Sequence, residues 1–179
     1  MSANAADAVS RRIVDVTADC GISLVASLPD GWITSLITHY NRDARFRHIA
    51  VNREESAIGL CSGAFFSGLG TFALMGASGF LTCIYAITKI NYTYQIPLLI
   101  GITLRGRPGD RAKFHQSNGL YLESVIRAID IPFVPIENAD DIPRIGTAYD
   151  HSRTMSRPVV VGLTREVLRG IIARGLGLR

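Results

Sequence analysis

The stretch IPLLIGIT at residues 96–103 decides the fold class, because it is an unbroken apolar run between polar segments. A strand that is buried on both faces shows no polar alternation, and such strands are typical of parallel sheets covered by helices. The surrounding apolar segment, residues 94–104, is too short to cross a bilayer as a helix. We therefore expect a central, buried strand over residues 96–103.

Five further apolar runs lie on either side of this strand, and helical patterns separate them. The predicted strands are residues 22–28, 47–51, 71–75, 96–103, 131–136 and 158–163. The predicted helices are residues 9–20, 33–40, 54–67, 81–92, 120–130 and 139–155, with a further short one after residue 164. This alternation predicts a single-domain α/β fold: an open, mainly parallel six-stranded sheet with helices on both faces.

Composition supports one folded domain with a short basic tail. The chain has 179 residues, of which 47% are hydrophobic and 19% charged, which excludes a disordered or coiled-coil protein. The net charge is +4, and residues 165–179 hold four Arg and one Glu, a net +3. Because the remainder carries almost no net charge, nucleic-acid binding is not expected. The predicted division is a domain over 1–164 and a basic tail over 165–179.

The cysteines and histidines indicate neither a disulfide framework nor a metal site. Cys20, Cys61 and Cys83 are an odd number and lie far apart in the chain. The four histidines lack the spacing of metal ligands, so no metal-binding residue is predicted. The N-terminus lacks the layout of a signal peptide, and no membrane segment is expected. We therefore expect a reduced, cytoplasmic protein.

Ligands of open α/β sheets bind at the carboxyl ends of the strands, so the loops at those ends are the candidate sites. These loops are residues 29–31, 52–55, 76–79, 105–119 and 137–140. They contain none of the common signatures for dinucleotides, for nucleoside triphosphates or for a nucleophilic serine. What they do contain is a set of acids and one long basic loop.

Three features of these loops have both a structural and a functional interpretation. Glu54 opens a predicted helix, where an acid either favours the helix dipole or serves a site. Asp30 either caps a helix, or forms part of a site, or does both. The long loop is either a solvated charged surface or an anion-binding segment, in which Arg105 and Arg107 suit bidentate contacts. His115 is its best candidate for a titrating group.

A family resemblance favours the functional interpretations. Residues 51–68, VNREESAIGLCSGAFFSG, resemble the segment that holds the invariant glutamate in the pyrimidine-binding domain of thiamine-diphosphate enzymes. More narrowly, the chain is similar to the alpha subunits of sulfopyruvate decarboxylase and to phosphonopyruvate decarboxylase. The segments that agree in order are residues 27–32 (SLPDGW), 74–81 (LMGASGFL), 95–109 (QIPLLIGITLRGRPG) and 122–136. No single motif is specific, but the ordered set from about residue 8 to 168 is.

The resemblance implies roles for individual residues. The catalytic glutamate of the family stands nine residues before a helix glycine, which matches Glu54 and Gly63 rather than Glu55. Glu54 would hydrogen-bond the cofactor's aminopyrimidine, and Asp30 and His115 would be the other catalytic groups. The remaining assignments are Pro29, Ser78 and Gly79 as cofactor-binding residues and Arg105 and Arg107 as substrate-binding residues.

The resemblance also implies the reaction and the partners. It points to decarboxylation of a small anionic 2-oxo acid with thiamine diphosphate. The Gly-Asp-Gly segment and Asn pair that hold Mg²⁺ and the diphosphate are not found in this sequence. A beta subunit in an obligate hetero-oligomer would therefore supply them. The family's usual Gln-Asn is replaced by Gly76 and Ala77, which should alter substrate recognition. Two alternatives are a carboligase or lyase subunit and a non-catalytic scaffold.

Overall fold

A computed structural model of the chain describes residues 3–170. Its centre is a six-stranded sheet in which every neighbouring pair of strands is parallel, with strand order β2-β1-β3-β4-β6-β5. The strands are β1 (Ile22–Ser27), β2 (Arg47–Ala50), β3 (Gly70–Met75), β4 (Leu98–Thr103), β5 (Phe133–Ile136) and β6 (Pro158–Leu163). The predicted open six-stranded α/β sheet is confirmed, and all six strands lie within their predicted ranges or one residue beyond them.

Eight α-helices accompany the sheet in the described range. They are α1 (Ala3–Asp19), α2 (Thr34–Arg42), α3 (Glu54–Phe65), α4 (Ala77–Thr82), α5 (Ile84–Ala86), α6 (Gln116–Ala128), α7 (Arg144–Met155) and α8 (Arg165–Leu168). A π-helix covers Ile87–Tyr92, and 3-10 turns cover Lys113–His115 and Ala139–Asp141. Helices lie on both faces of the sheet, as predicted.

The predicted helix over residues 81–92 is wrong in its continuity. The segment is divided into α4, α5 and the π-helix. Inside the π-helix, the buried Asn91 side-chain amide donates to Ser62 Oγ at 3.0 Å and to the carbonyl of Ile96 at 3.2 Å. These contacts connect the widened helical turn to α3 and to the segment just before β4. No pattern in the sequence predicts them.

Two apolar clusters fill the two sides of the sheet. One joins α1, α2, α7 and α8, with Ile13, Tyr40 and Ile145 fully buried. The other joins α3, α4, the π-helix and α6, with Ile58 and Phe80 fully buried. Burial of a side chain of this size stabilises the fold by roughly 1.5–3 kcal/mol.

The strand order places a switch point beside β1. From β1 the chain moves outward to β2 and then returns to the other side of β1 as β3. The loops that follow β1 and β3 therefore diverge at the carboxyl edge of the sheet, and a crevice opens between them. This edge carries the candidate residues from the ends of β1, β2, β3 and β4.

The segment after β6 packs on the domain as far as it is described. Val167 and Leu168 of α8 are buried in the cluster that contains α1. Arg174 and Arg179 of the predicted basic tail lie outside the described residues. Within residues 3–170, no helix is both long and apolar enough to cross a bilayer, and no group of three His, Cys, Asp or Glu side chains could hold a metal ion.

Candidate functional site

The turn at residues 76–79 consists of Gly76 and the first turn of α4, and it lies between two carboxyl groups at the switch point. The predicted loop over these residues is wrong, because α4 begins at Ala77. A side-chain carbon at Gly79 would overlap the carboxyl end of Glu54, and one at Gly76 would lie 2.8 Å from Asp30 Oδ2. Real carbon atoms essentially never approach so closely, so both acids occupy space that only glycine leaves open. The turn after β3 therefore brings together acids from the ends of β1 and β2, twenty-four positions apart in the chain.

The two adjacent glutamates at the start of α3 have different surroundings. Glu55 accepts hydrogen bonds from the Arg53 guanidinium at 3.3 and 3.4 Å. The backbone N–H at the helix start and the Arg53 side chain lower the pKa of Glu55. Glu54 belongs to none of the ion pairs among residues 3–170, and its half-buried carboxyl faces Gly79. Glu54 is thus the acid left available for another group.

Asp30 is anchored through one of its two carboxyl oxygens. Its Oδ1 accepts from the backbone N–H of Trp32 at 2.8 Å and from Arg105 Nη2 at 2.6 Å. The predicted capping role is wrong, because α2 begins only at Thr34 and has no side-chain cap. The turn before α2 uses the carboxylate instead, so that Asp30 points toward Gly76 rather than along the helix. Pro29, beside it, is exposed.

A series of hydrogen-bonded side chains continues from Asp30 into the long loop. Arg105 Nη1 lies 2.6 Å from His115 Nε2, and His115 Nδ1 lies 2.8 Å from Asp110 Oδ2. Because a guanidinium can only donate, Nε2 must accept, and the ring is then neutral with its hydrogen on Nδ1. His115 donates that hydrogen to Asp110. The order of groups is therefore Asp30, Arg105, His115, Asp110, each bonded to the next.

Asp110 is the centre of the loop. Its carboxylate accepts from the backbone N–H groups of Gly106 at 3.0 Å and Ala112 at 3.1 Å, in addition to the His115 ring. Burial opposes the charge, but these three donors outweigh it and lower the pKa of Asp110 to about 2. The Asp110 carboxylate is therefore charged at neutral pH, and the loop is organised around it.

Two glycines close this loop. Gly106 has φ of +75°, and a side chain there would meet the His115 carbonyl, while one at Gly119 would meet the Gly106 carbonyl. The predicted loop over residues 105–119 is too long, since α6 begins at Gln116 and a 3-10 turn precedes it. The hydrogen bonds within this segment indicate a compact, ordered loop.

Both predicted substrate-binding arginines already have carboxylate partners. Arg107 donates to Glu137 at 2.6 Å and to Glu123 at 2.9 Å, which ties the loop to α6 and to the segment after β5. Arg105 is held by Asp30 and His115. Within residues 3–170, no side-chain hydrogen bond or ion pair joins Arg107 to Asp30, Arg105 or His115, so only Arg105 of the two arginines is bonded to Asp30.

Asn118 is a site residue that sequence reasoning missed. It lies in the first turn of α6, is 2% exposed, and its Oδ1 accepts from Ser78 Oγ at 3.1 Å. Its side-chain nitrogen is buried and has no hydrogen-bond partner in the described part of the chain. If the Asn118 amide were rotated by 180°, its oxygen would lack a hydrogen-bond partner in place of the nitrogen. An unpaired buried group of this kind marks a place where a ligand could supply the missing contact. No local signal links Asn118 to Ser78, which is forty residues away.

Comparisons with known proteins agree on one group of enzymes. No family model matches the chain. The alpha subunit of sulfopyruvate decarboxylase from Methanococcus maripaludis is 31% identical over 159 residues, which is 88% of this chain and 93% of that protein. The corresponding subunit from Methanocaldococcus jannaschii is 31% identical over 153 residues, or 85% and 90%. Phosphonopyruvate decarboxylase from Streptomyces viridochromogenes is 30% identical over 91 residues, which cover 51% of this chain and 23% of that enzyme.

Proposed function

Because the chain belongs to the family of sulfopyruvate decarboxylase alpha subunits, we propose that it is the alpha subunit of a thiamine-diphosphate-dependent decarboxylase. Its substrate is a small 2-oxo acid with an anionic tail, such as sulfopyruvate or phosphonopyruvate. The observation that carries the proposal is the Glu54 carboxyl, which lies against Gly79 and has no ion-pair partner in the described range. Such a group is able to hold a proton shared with a bound heterocycle.

The residues at the switch point suit the cofactor's aminopyrimidine. Glu54 would hold the ring through its carboxyl group, and Pro29, Ser78 and Gly79 would line the pocket. Gly79 leaves the space that the Glu54 carboxyl occupies, and Asn118 provides a buried amide without a full set of partners. When bound, thiamine diphosphate supplies the electron sink that accepts the electron pair released with CO₂. The protein contributes orientation and proton control.

Asp30 is the proposed second proton-handling group. Its Oδ1 is used by Arg105 and by the backbone N–H of Trp32, so Oδ2 is the atom left to accept or give a proton. The anchored Oδ1 fixes the direction in which Oδ2 points. His115 would accept a proton at Nε2 only after Arg105 moves away, because that nitrogen's lone pair is occupied.

The substrate anion would reach the arginines by exchange. Arg105 already binds one carboxylate, that of Asp30, so a substrate carboxylate would replace it at similar electrostatic cost. A substrate carboxylate that took both Nη1 and Nη2 of Arg105 would release Asp30 Oδ1 from the guanidinium, although the Trp32 N–H would still hold it, and would free His115 Nε2. Binding of the substrate is thereby coupled to release of the groups that handle protons. Arg107 would need to give up Glu123 or Glu137 in the same way.

A partner subunit is part of the proposal. Large apolar side chains at the start of α6 are exposed, with Phe114 at 80%, Leu120 at 69% and Tyr121 at 59%. Phe114 packs edge-on against His115, with ring centroids 4.3 Å apart. This apolar surface therefore adjoins the hydrogen-bonded series that contains Asp30, Arg105 and His115. We infer that a beta subunit covers it and contributes the Mg²⁺ and diphosphate half of the active site. The complex would be a cytoplasmic hetero-oligomer.

The test is reconstitution with the partner subunit, thiamine diphosphate and Mg²⁺. Calorimetry should show saturable cofactor binding to the complex, and sulfopyruvate or phosphonopyruvate should release CO₂. Cofactor binding without CO₂ release would favour a carboligase or lyase, which a screen of 2-oxo acids with aldehyde acceptors would identify. No cofactor binding to an assembled complex would contradict the proposal and leave a scaffold role.

A further inference from the structure

A second cationic feature lies beside Trp32, in a cleft of about 180 Å³. Arg165 and Arg169 line it from α8 and the residue after it, and Ser35 lines it from α2. The cleft is larger than the roughly 30 Å³ share of one water and smaller than the roughly 300 Å³ of a typical drug-sized pocket. Its size therefore suits a small ion or a small charged group.

No ion pair within residues 3–170 balances the charge of this cleft. Arg165 and Arg169 are four residues apart, and neither belongs to an ion pair among residues 3–170. Glu166 is exposed and pairs with neither arginine in that range. The nine residues after Gly170 contain no Asp or Glu. Two cations at this spacing repel each other, so an anion between them would be stabilising.

Arg165 is also partly sealed from water. Its Nε atom is buried and has no hydrogen-bond partner in the described part of the chain. A buried donor without an acceptor destabilises the folded chain, and more so when it is charged. Arg165 Cζ lies 5.7 Å from the centre of the Trp32 ring, which holds the guanidinium at the cleft wall. The arginines of the active-site loop, by contrast, are bonded to carboxylates.

The cleft offers a neutral donor as well. Ser35 Oγ accepts a hydrogen bond from Ser10 Oγ at 3.1 Å, which leaves its own O–H free to donate. One face of the cleft therefore presents two guanidinium groups and one hydroxyl.

We propose that this cleft binds a small oxyanion, such as a phosphate, a sulfonate or a carboxylate. Arg165 and Arg169 are its charged donors and Ser35 is its neutral one. The lining of this cleft contains neither Glu54 nor Asp30, but Trp32 borders both places, since Arg105, which is bound to Asp30, has its Cζ 4.5 Å from the centre of the Trp32 ring. An anion here would tie α8 to the turn before α2, and so would act on the element that carries Asp30.

The experiment uses the fluorescence of Trp32, the only tryptophan in the chain. The full chain is titrated with inorganic phosphate, sulfate, methanesulfonate and acetate at an ionic strength kept constant with chloride. We expect a saturable change with at least one of these anions and at least a tenfold loss of affinity in Arg165→Gln. Arg165→Lys should recover only part of the affinity, because an ammonium lacks the planar fork. The anion that binds best identifies the chemical source.

Arg153→Gln is the matched control, since Arg153 lies over Phe65 with its Cζ 4.9 Å from the ring centre, away from the cleft. It should leave the titration unchanged. Equal responses in the wild type and in Arg165→Gln would overturn the proposal. So would the absence of anion binding together with weaker assembly of Arg165→Gln with its partner subunit, which would make the cleft a protein interface. Neither result depends on decarboxylase activity, so the proposed function is tested separately.

Discussion

The turn at residues 76–79 and the loop at residues 105–115 end neighbouring strands, yet they differ in how completely their polar groups are paired. In the loop, Asp110, His115 and Arg105 form an unbroken series of hydrogen bonds. At the turn, the Glu54 carboxyl has no ion-pair partner and the Asn118 amide is incomplete within residues 3–170. The paired side chains fix the conformation of the loop, whereas the unpaired groups at the turn are available to bind a ligand.

The comparison assigns different costs to mutations in the two regions. A change in the loop should lower stability, because it leaves buried donors or acceptors without partners. A change at the turn should lower activity with little effect on stability, because the displaced group is the end of a flexible side chain.

The largest effect is expected for Gly79→Ala. The added methyl group would overlap the Glu54 carboxyl and push that side chain away from the turn. We expect decarboxylation by the reconstituted complex to fall by about 100-fold or more, the range seen when one proton-transfer group is lost. The melting temperature should change little. Gly63→Ala, in the open surface of α3, is the control and should leave activity unchanged. Full activity in Gly79→Ala would separate Glu54 from the reaction.

Asp110→Asn should lower stability rather than abolish folding. The change removes the charge from a carboxylate that accepts from Gly106, Ala112 and His115. We expect the free energy of unfolding, measured with urea, to fall by about 1–3 kcal/mol. Asp150→Asn, at an exposed position of α7, should cost far less. Equal losses in the two variants would mean that the loop is not organised around Asp110.

Acid should weaken the same loop in a defined range. The pKa of Asp110 is about 2 in the folded chain and near its ordinary value of 3.8 when unfolded. The stabilisation is therefore complete above pH 3.8 and is lost as the pH falls toward 2. Urea midpoints measured between pH 5 and 2.5 should fall more steeply for the wild type than for Asp110→Asn. Parallel curves would contradict this account, since the other acids with lowered pKa values are common to both proteins.

The smallest effect is expected for Gly76→Ala. A methyl group there would lie 2.8 Å from Asp30 Oδ2, which is close but allows a small shift of the carboxylate. Asp30 would stay bound to Arg105 through Oδ1, so we expect a loss of activity below about tenfold, well short of the effect of losing a proton-transfer group outright. The ratio of kcat for Gly79→Ala and Gly76→Ala measures how unequal the two acids are. A larger loss of kcat in Gly76→Ala than in Gly79→Ala would mean that Asp30, and not Glu54, is the more important acid.

Much of the fold could be predicted from the sequence, because the strands are unbroken apolar runs. The run at 158–163 matches β6 at both ends, and the run at 96–103 contains β4. The errors occurred where tertiary contacts override local preference. A glycine such as Gly119 usually disfavours a helix, yet Gly119 lies in the first turn of α6. Its position against the Gly106 carbonyl leaves no room for a side chain, which explains why glycine is present there.

The site was predictable as a set of residues but not as a set of contacts. Glu54, Asp30, Arg105 and His115 could be proposed from their places at strand ends and from the family resemblance. That Asp30 binds Arg105, seventy-five residues away, has no local signal. The same holds for the Asn118 contact with Ser78. Pairing of charges across the sheet edge depends on strand order, which only the folded chain provides.

The role of Glu54 is tested by comparing Glu54→Gln with Glu55→Gln in the reconstituted complex, with turnover measured as CO₂ release from sulfopyruvate. Both substitutions remove one charge at the start of the same helix. We expect Glu54→Gln to lower kcat by about 100-fold or more. Because the wild-type Glu55 carboxyl is paired with Arg53, Glu55→Gln should stay within a few-fold of the wild type. Undiminished turnover in Glu54→Gln, or equal losses in the two variants, would contradict this expectation.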